Sequence, residues 1–314
     1  MIRPLVFLKK PPKIDFMAFH KAGLAISVLL TVGSIVLFLI HGLNYGIDFS
    51  GGTRIDVRTV QTADLADMRA KLGALHLGEI SLQNFGSDKD VMIRVPRQPG
   101  DDKAQAQAVE TVKKTLGEGV DFRNVESVGP KVGGELIWKG VLATVLALIA
   151  IAAYVWFRFE WQFGVGAMIS TFHDTVTTVG LFSLLQIEFN LTTLAAILTV
   201  AGYSINDTVV IYDRMRETMR KYKTMDFRTL INLALNETLS RTILTVSTVA
   251  LAVLALLVYG GEVLRGFSIA MLWGILIGTY SSLFIAAPIL YYVRPKRVAD
   301  PKKADAAAEA EKAS

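Results

Sequence analysis

The sequence has no cysteine, which excludes disulfides and thiolate metal sites while leaving the compartment open. Charge is scarce as well. Asp, Glu, Lys and Arg make up 19% of the 314 residues, against 52% hydrophobic residues. With a mean hydropathy of +0.43, the chain is too apolar for a soluble domain of its size and falls in the membrane class. Signal-peptide features are also missing. The first apolar run, residues 22–40, lasts 19 residues and no small-x-small site follows it, so an uncleaved membrane helix is expected. No Gly-x-Gly-Asp pattern flanks the aspartates in the apolar runs. That argues against an intramembrane aspartyl protease, and no enzymatic activity is expected.

The charge that is present is unevenly placed. Residues 42–137 hold 12 basic and 14 acidic side chains, and the rest of the chain holds 21 and 14, for a formal net of +5. The basic excess lies in tails and loops beside apolar runs. It reads as membrane orientation rather than nucleic-acid binding, with the lipid bilayer as solvent.

Six spans are expected, near 22–41, 137–157, 162–185, 191–212, 242–259 and 266–292, each close to the ~20 residues that cross ~30 Å of hydrocarbon. Basic residues in short segments set their direction. The N-terminal segment 1–21 has Arg3, Lys9, Lys10, Lys13 and Lys21. The second loop has Arg158. The segment 213–241 has Arg214, Arg216, Arg220, Lys221, Lys223 and Arg228, and residues 294–314 have Arg294, Lys296, Arg297, Lys302, Lys303 and Lys312. The opposite side offers only Arg265 in its short loops. Both termini are therefore expected to be cytoplasmic, with 42–136 outside. Residues 225–239 read as a separate amphipathic helix at the interface. The Ala/Lys/Glu-rich end of 294–314 reads as a disordered tail.

The outside segment reads as a small α+β domain. Strands are expected at 53–60, 79–85, 90–95 and 121–128, and helices at 63–75 and 104–116. The order is β-α-β-β-α-β, the ferredoxin-like split arrangement. The whole is an α-helical membrane protein with one such domain between spans one and two.

Glycine marks both entrances to that domain. Gly46-Ile-Asp-Phe-Ser-Gly-Gly52, which includes Asp48, Phe49 and Gly51, reads as a tight turn into the first strand with positive φ at one or more glycines. It has no Gly-Lys-Ser/Thr ending and is not a phosphate loop. Val128-Gly129-Pro130 reads as the exit, a hinge on which the domain tilts.

Ionisable groups inside the apolar runs are costly and are functional candidates by default. Span three holds His173 and Asp174. The histidine is either functional or a hydrogen-bonded packing residue. Span four holds Ser204, Asn206, Asp207 and Thr208. A carboxyl whose surroundings change with conformation is a proton carrier, and the competing reading is a polar clamp between helices. Arg241 opens span five, and it either pairs with Asp207 or Asp174 or snorkels to the surface. Thr242, Thr245, Ser247 and Thr248 continue a hydroxyl-rich stripe. In span six, Gly274 and Gly278 stand four apart and permit close helix approach.

Taken together, residues 46–52 and 128–130, Ala201-Gly-Tyr-Ser-Ile-Asn-Asp-Thr-Val-Val210 with Asp213-Arg-Met-Arg-Glu217, and Gly260-Gly-Glu-Val-Leu-Arg-Gly-Phe-Ser268 resemble the SecF family. These are the smaller membrane subunits of bacterial SecD–SecF translocases, in the resistance–nodulation–division superfamily. The resemblance covers about residues 20–293. It implies six spans with one periplasmic domain, residence in the inner membrane, and pairing with SecD beside the SecYEG channel, often with YajC. It implies proton-driven promotion of the passage of unfolded polypeptide, with protons as the coupling ion and no cofactor. The family's proton-pathway residues map onto Asp207 and Arg241, and its His-Asp pair onto His173 and Asp174. Exporters of this superfamily carry larger outer domains and twice the spans in one chain. A scaffold that stabilises the channel without transport is the alternative.

Overall fold

Helices begin and end where polar side chains and glycines interrupt the apolar runs. The computed structural model describes residues 12–100 and 102–295. Arg3, Lys9, Lys10 and the expected tail from residue 296 onward lie outside the described residues. Helix α1 (His20–His41) stops at Gly42, whose φ of 63° suits glycine. A single turn, α2 (Ile47–Ser50), leads into the sheet domain. That domain comprises β1 (Gly52–Thr59), α3 (Leu65–Gly73), β2 (Ser81–Phe85), β3 (Ser87–Val95), α4 (Asp102–Leu116) and β4 (Val120–Val128). The long helices follow: α5 (Pro130–Arg158), α6 (Trp161–Leu185), α7 (Leu191–Lys221), α8 (Phe227–Tyr259) and α9 (Gly261–Ser281). A π-helical turn at Ser282–Ala286 joins α9 to α10 (Ala287–Val293).

The boundaries correct three expectations. First, α5 starts at Pro130, seated in its first turn with Gly129 as N-cap, where a missing N–H costs nothing. The segment after β4 is therefore helix rather than a free hinge, and the domain ends before 130 rather than at 136. Second, the separate interfacial helix at 225–239 is the first part of α8. Asp226 caps its start by accepting from the Thr229 N–H (3.2 Å), and its 33 residues contain no Gly or Pro to break it. Third, span six is not one regular helix. Pro288 has no N–H to offer the Phe284 carbonyl, and the turn before it widens.

Among the described residues, five helical units are long and apolar enough to cross a membrane: α1, α5 from Val132, α7, α8 and the α9–α10 unit from Val263. Helix α6 is long enough at 25 residues, about 37 Å. Its mid-section falls short in hydropathy because it carries Ser170, Thr171, His173, Asp174, Thr175, Thr177 and Thr178. Those side chains are tolerable because α6 is the interior helix. It packs on α1, α5, α7 and α9, and most of its polar side chains are buried. On α1, α5 and α8 the outer faces are exposed and aliphatic.

The sheet runs β2-β3-β1-β4, with every neighbouring pair antiparallel. Alternation splits it into two faces. Ile55, Val57, Leu82, Val91, Ile93 and Val95 pack under Met68 and Leu72 of α3 and Val109 and Val112 of α4. The other face carries Arg54, Asp56, Arg58, Asp90 and Arg94. Register puts Arg54 directly opposite Arg94 and Arg58 opposite Asp90. Two facing arginines repel, so each needs its own acid. Arg54 takes Asp56 (2.9 Å) and Arg94 takes Glu188 (2.7 Å).

Two predictions arise in this domain. Gly52 has φ of 109°, and a Cβ there would lie 2.6 Å from the Val95 carbonyl oxygen. Gly52→Ala is expected to lower the stability of the sheet by about 2 kcal/mol or more, read as lost hydrogen-exchange protection in β1 and β3. Protection equal to wild type would contradict this. The second concerns acid. The Arg58 guanidinium grips Asp90 through both prongs (2.6 and 2.7 Å), the Ser87 hydroxyl adds a third bond (2.6 Å), and the Asp90 carboxyl is held down to about 2. The folded value lies below the unfolded one of about 3.9. The contribution is therefore complete above the unfolded value and lost as pH falls through the folded one. The melting difference between wild type and Asp90→Asn should be constant above about pH 5 and shrink toward pH 2. A difference that is flat down to pH 2 would rule the linkage out.

Candidate functional site

The site grows from small residues that let helices touch. A Cβ on Gly274 would overlap the Val200 side chain, and one on Gly278 would lie 3.0 Å from Ser204. Glycine at these two turns draws α9 against α7. This closeness brings Ser204 of α7 and Ser281 of α9 to the same point on α6. That point is Asp174, fully buried at 0% exposure. Its Oδ2 accepts from Ser204 Oγ (2.5 Å) and Ser281 Oγ (2.8 Å), and Ser170 Oγ donates in turn to Ser281 Oγ (2.9 Å). Its Oδ1 faces His173 Nδ1 at 3.1 Å. Neighbours on a helix diverge by about 100°, yet both side chains are buried and stay within hydrogen-bond distance. Asp174 is thus held by groups from three helices, while His173 Nε2 is buried with no partner among the described residues.

Asp207 lies on α7 one turn beyond Ser204. It is 8% exposed. Its Oδ1 accepts from Thr242 Oγ1 of α8 (3.0 Å), but its Oδ2 is buried without a donor among the described residues. Arg241 is exposed and forms no ion pair with Asp207 or Asp174 among the described residues. The helical turn explains this: Thr242 faces α7, so Arg241, one residue earlier, points about 100° away. Asn206 is exposed and apart from the cluster. Thr208 and Ser282 share a hydrogen bond (2.8 Å), which continues the polar seam between α7 and α9. On α8, Thr245 and Thr248 bond back to their own helix carbonyls (2.9 and 2.7 Å). Farther along, Arg158 pairs with Asp213 (3.1 Å) and Arg214 with Glu237 (2.6 Å).

The Gly46–Gly52 motif does more than turn the chain. Gly51 and Gly52 have φ of 72° and 109°, as expected of a tight path. Between them and Gly46, however, stands the helical turn α2, and Asp48 Oδ2 accepts the Leu191 N–H (2.9 Å) at the start of α7. An acid there satisfies an orphan donor and suits the helix dipole. Phe49 stacks on Phe189, with ring centres 5.7 Å apart, and a Cβ on Gly133 of α5 would crowd the Phe49 carbonyl oxygen at 3.2 Å. The Gly46 N–H donates to the Phe189 carbonyl (2.8 Å). Arg94 of β3 completes the junction through Glu188 and Asn44 Oδ1 (3.0 Å). The motif therefore ties the sheet domain to the α6–α7 loop and to the starts of α5 and α7.

The sequence did not show which hydroxyl meets which acid. Ser204 and Thr242 stood out as hydroxyls in apolar helices, whereas nothing in the sequence marked Ser170 or Ser281 as partners of Asp174. Among the described residues no group of three or more His, Asp or Glu side chains is placed to hold a metal.

Residues 108–296 match the family described as protein export membrane protein SecD/SecF, C-terminal, and residues 36–63 match the SecD/SecF GG motif. The chain is 46% identical over 293 residues to protein translocase subunit SecF of Rickettsia rickettsii, covering 92% of this chain and 94% of that one. To the SecF of Cereibacter sphaeroides it is 47% identical over 299 residues, covering 92% of each. Among solved structures it resembles a crystal structure of SecDF from Thermus, described as a translocon-associated membrane protein, with TM-score 0.82 and 34% identity. That match covers 90% of this chain and 39% of the Thermus chain. A second SecDF structure, in a super-membrane-facing form, matches with TM-score 0.69 and 33% identity, covering 99% of this chain and 41% of that one. The chain thus spans about two fifths of the solved SecDF chains.

Proposed function

The chain belongs to the SecD/SecF family of protein export membrane proteins, and from that premise we propose that it is a SecF-type export subunit that couples proton movement to polypeptide translocation. In this reading α6 is the sixth span, sheltered by its neighbours. The chain sits in a bacterial inner membrane with both termini cytoplasmic, and the sheet domain is a periplasmic domain of the ferredoxin-like class. Its partners are a SecD-type subunit, the SecYEG channel, YajC and the emerging unfolded polypeptide; nucleic acid has no part. Protons are the coupling ion and no cofactor is needed.

The single observation that carries this reading is the contrast between the two aspartates. Asp174 has donors from two serines and a histidine, and it acts as the clamp that holds α6, α7 and α9 together. Asp207 has one donor, and its second oxygen has none among the described residues. A buried carboxyl with an unsatisfied oxygen is poised to change protonation when a partner or water approaches. Arg241, on the exposed side of α8, is the cation that approaches when the helices shift. Asn206 and Tyr203 line the face of α7 that a partner helix covers. One charge crossing 100 mV supplies about 2.3 kcal/mol, enough to move a two-state equilibrium by tens-fold.

The competing reading, a scaffold that stabilises the channel, needs the helix packing and the sheet domain but no titrating group. A protonophore separates the two. In membrane vesicles making this chain and its SecD partner, the gain in export over vesicles lacking them should vanish when the proton-motive force is collapsed. A gain that persists at full size favours the scaffold and sinks the coupling.

A further inference from the structure

A polar cavity of about 230 Å³ lies where the charged face of the sheet meets the α6–α7 loop and the start of α9. It is separate from the buried aspartates. One wall is Arg54 of β1, whose side chain is only 8% exposed. Its Nε donates to Asp56 (2.9 Å) and its guanidinium lies 4.6 Å over the Phe85 ring, so its position is fixed from two sides. Its Nη2 is buried with no acceptor among the described residues. A guanidinium carries five donors in a rigid fork, and a buried one left unsatisfied is costly. Asn84 and Asn190 add amide groups to the same lining.

Charge and rim narrow what fits. Among the charged groups that line the cavity, Arg54 and Arg265 are positive and Glu188 is negative. Both signs therefore face the cavity, which suits a group that itself carries both. Exposed aliphatic side chains flank the cavity at the helix ends, Leu185 of α6 at 52% and Val263 of α9 at 59%. A polar cavity with a phosphate-matching fork beside an aliphatic rim at the end of membrane helices has the form of a lipid headgroup site. We propose that this cavity receives the headgroup of an amine-bearing phospholipid, with its phosphodiester on Arg54 and its acyl chains over Leu185 and Val263. The bound lipid would fill the wedge between the sheet domain and the helix bundle, beside the Arg94–Glu188 pair.

The test uses the full chain, purified and delipidated in detergent, with native mass spectrometry as readout. Added phosphatidylethanolamine should give one retained lipid per chain. Arg54→Lys, which keeps the charge opposite Asp56 but loses the fork, should weaken retention about tenfold. Val263→Asp should weaken it comparably by placing a charge under the acyl chains. Should Arg54→Lys fail to fold, the exposed Val263 change carries the test. Phosphatidylglycerol retained as well as phosphatidylethanolamine would overturn the two-signed headgroup. Soluble glycerophosphoethanolamine or inorganic phosphate competing at equal concentration would overturn the lipid source. No retention by the wild type, or retention at the wild-type level by both variants, would leave the cavity to water and overturn the proposal. Export plays no part in this readout, so its outcome is independent of the proton-coupling reading.

Discussion

A chain carrying Asp207→Asn is expected to lose the proton-driven share of export while keeping its fold. The amide keeps the shape of the carboxyl and still accepts from Thr242, so the α7–α8 contact survives. What it cannot do is take up or release a proton. The expected effect is therefore near-complete loss of the gain that depends on the proton-motive force, with melting temperature and chain level in the membrane unchanged. Asp174→Asn offers the comparison. Asp174 accepts from two hydroxyls on one oxygen, and an amide oxygen can do the same while its NH2 donates to His173 Nδ1 in the imidazole's other tautomer, so the clamp should hold and export should suffer much less. If the two substitutions fall to the same level, the division of labour between clamp and carrier is wrong. Export at the wild-type level in Asp207→Asn would leave the scaffold reading standing.

The second large effect concerns the packing that creates the site. Gly274→Leu is expected to destabilise the bundle by about 3 kcal/mol or more, at the upper end of overpacking costs. Any Cβ at 274 meets the Val200 side chain, and Val is β-branched and cannot swing aside cheaply. Pushing α9 off α7 would also part Ser281 from Ser204 and open the shell around Asp174, so function should fall with stability. A milder pair makes the cause checkable. Gly274→Ala alone should cost about 1–3 kcal/mol, and adding Val200→Ala should restore part of it, a coupling visible in a double-mutant cycle. Strict additivity of the two would show that the clash is not the mechanism.

These residues also mark how far the sequence could be read. The sheet domain was legible because its strands alternate and its turns carry glycine: Gly86, between β2 and β3, has φ of 85°. The long helices were legible because hydropathy is a sum over many residues. Their ends were less so. Residues 225–239 are amphipathic and 242–259 apolar, and only the absence of Gly and Pro indicated one continuous α8. The aspartates stood out because charge is rare in apolar runs. Their partners did not, because which serine meets Asp174 depends on how α9 is rotated, and Gly274 and Gly278 set that rotation through contact with α7. Arg241 shows the same limit from the other side. Charge made it the natural partner of Asp207, whereas one step of helical rotation gives that place to Thr242. Asp48 was part of a conspicuous motif, but its role at the start of α7 depends on a fold that brings position 48 beside position 191.

Proton coupling itself is tested most directly by proton flux. The chain and its SecD partner would be reconstituted in liposomes with an interior pH dye, and a membrane potential imposed with valinomycin. The account predicts potential-driven proton entry by the wild type, and entry at the level of protein-free liposomes for Asp207→Asn, with both proteins incorporated equally. Equal flux from wild type and Asp207→Asn would contradict it.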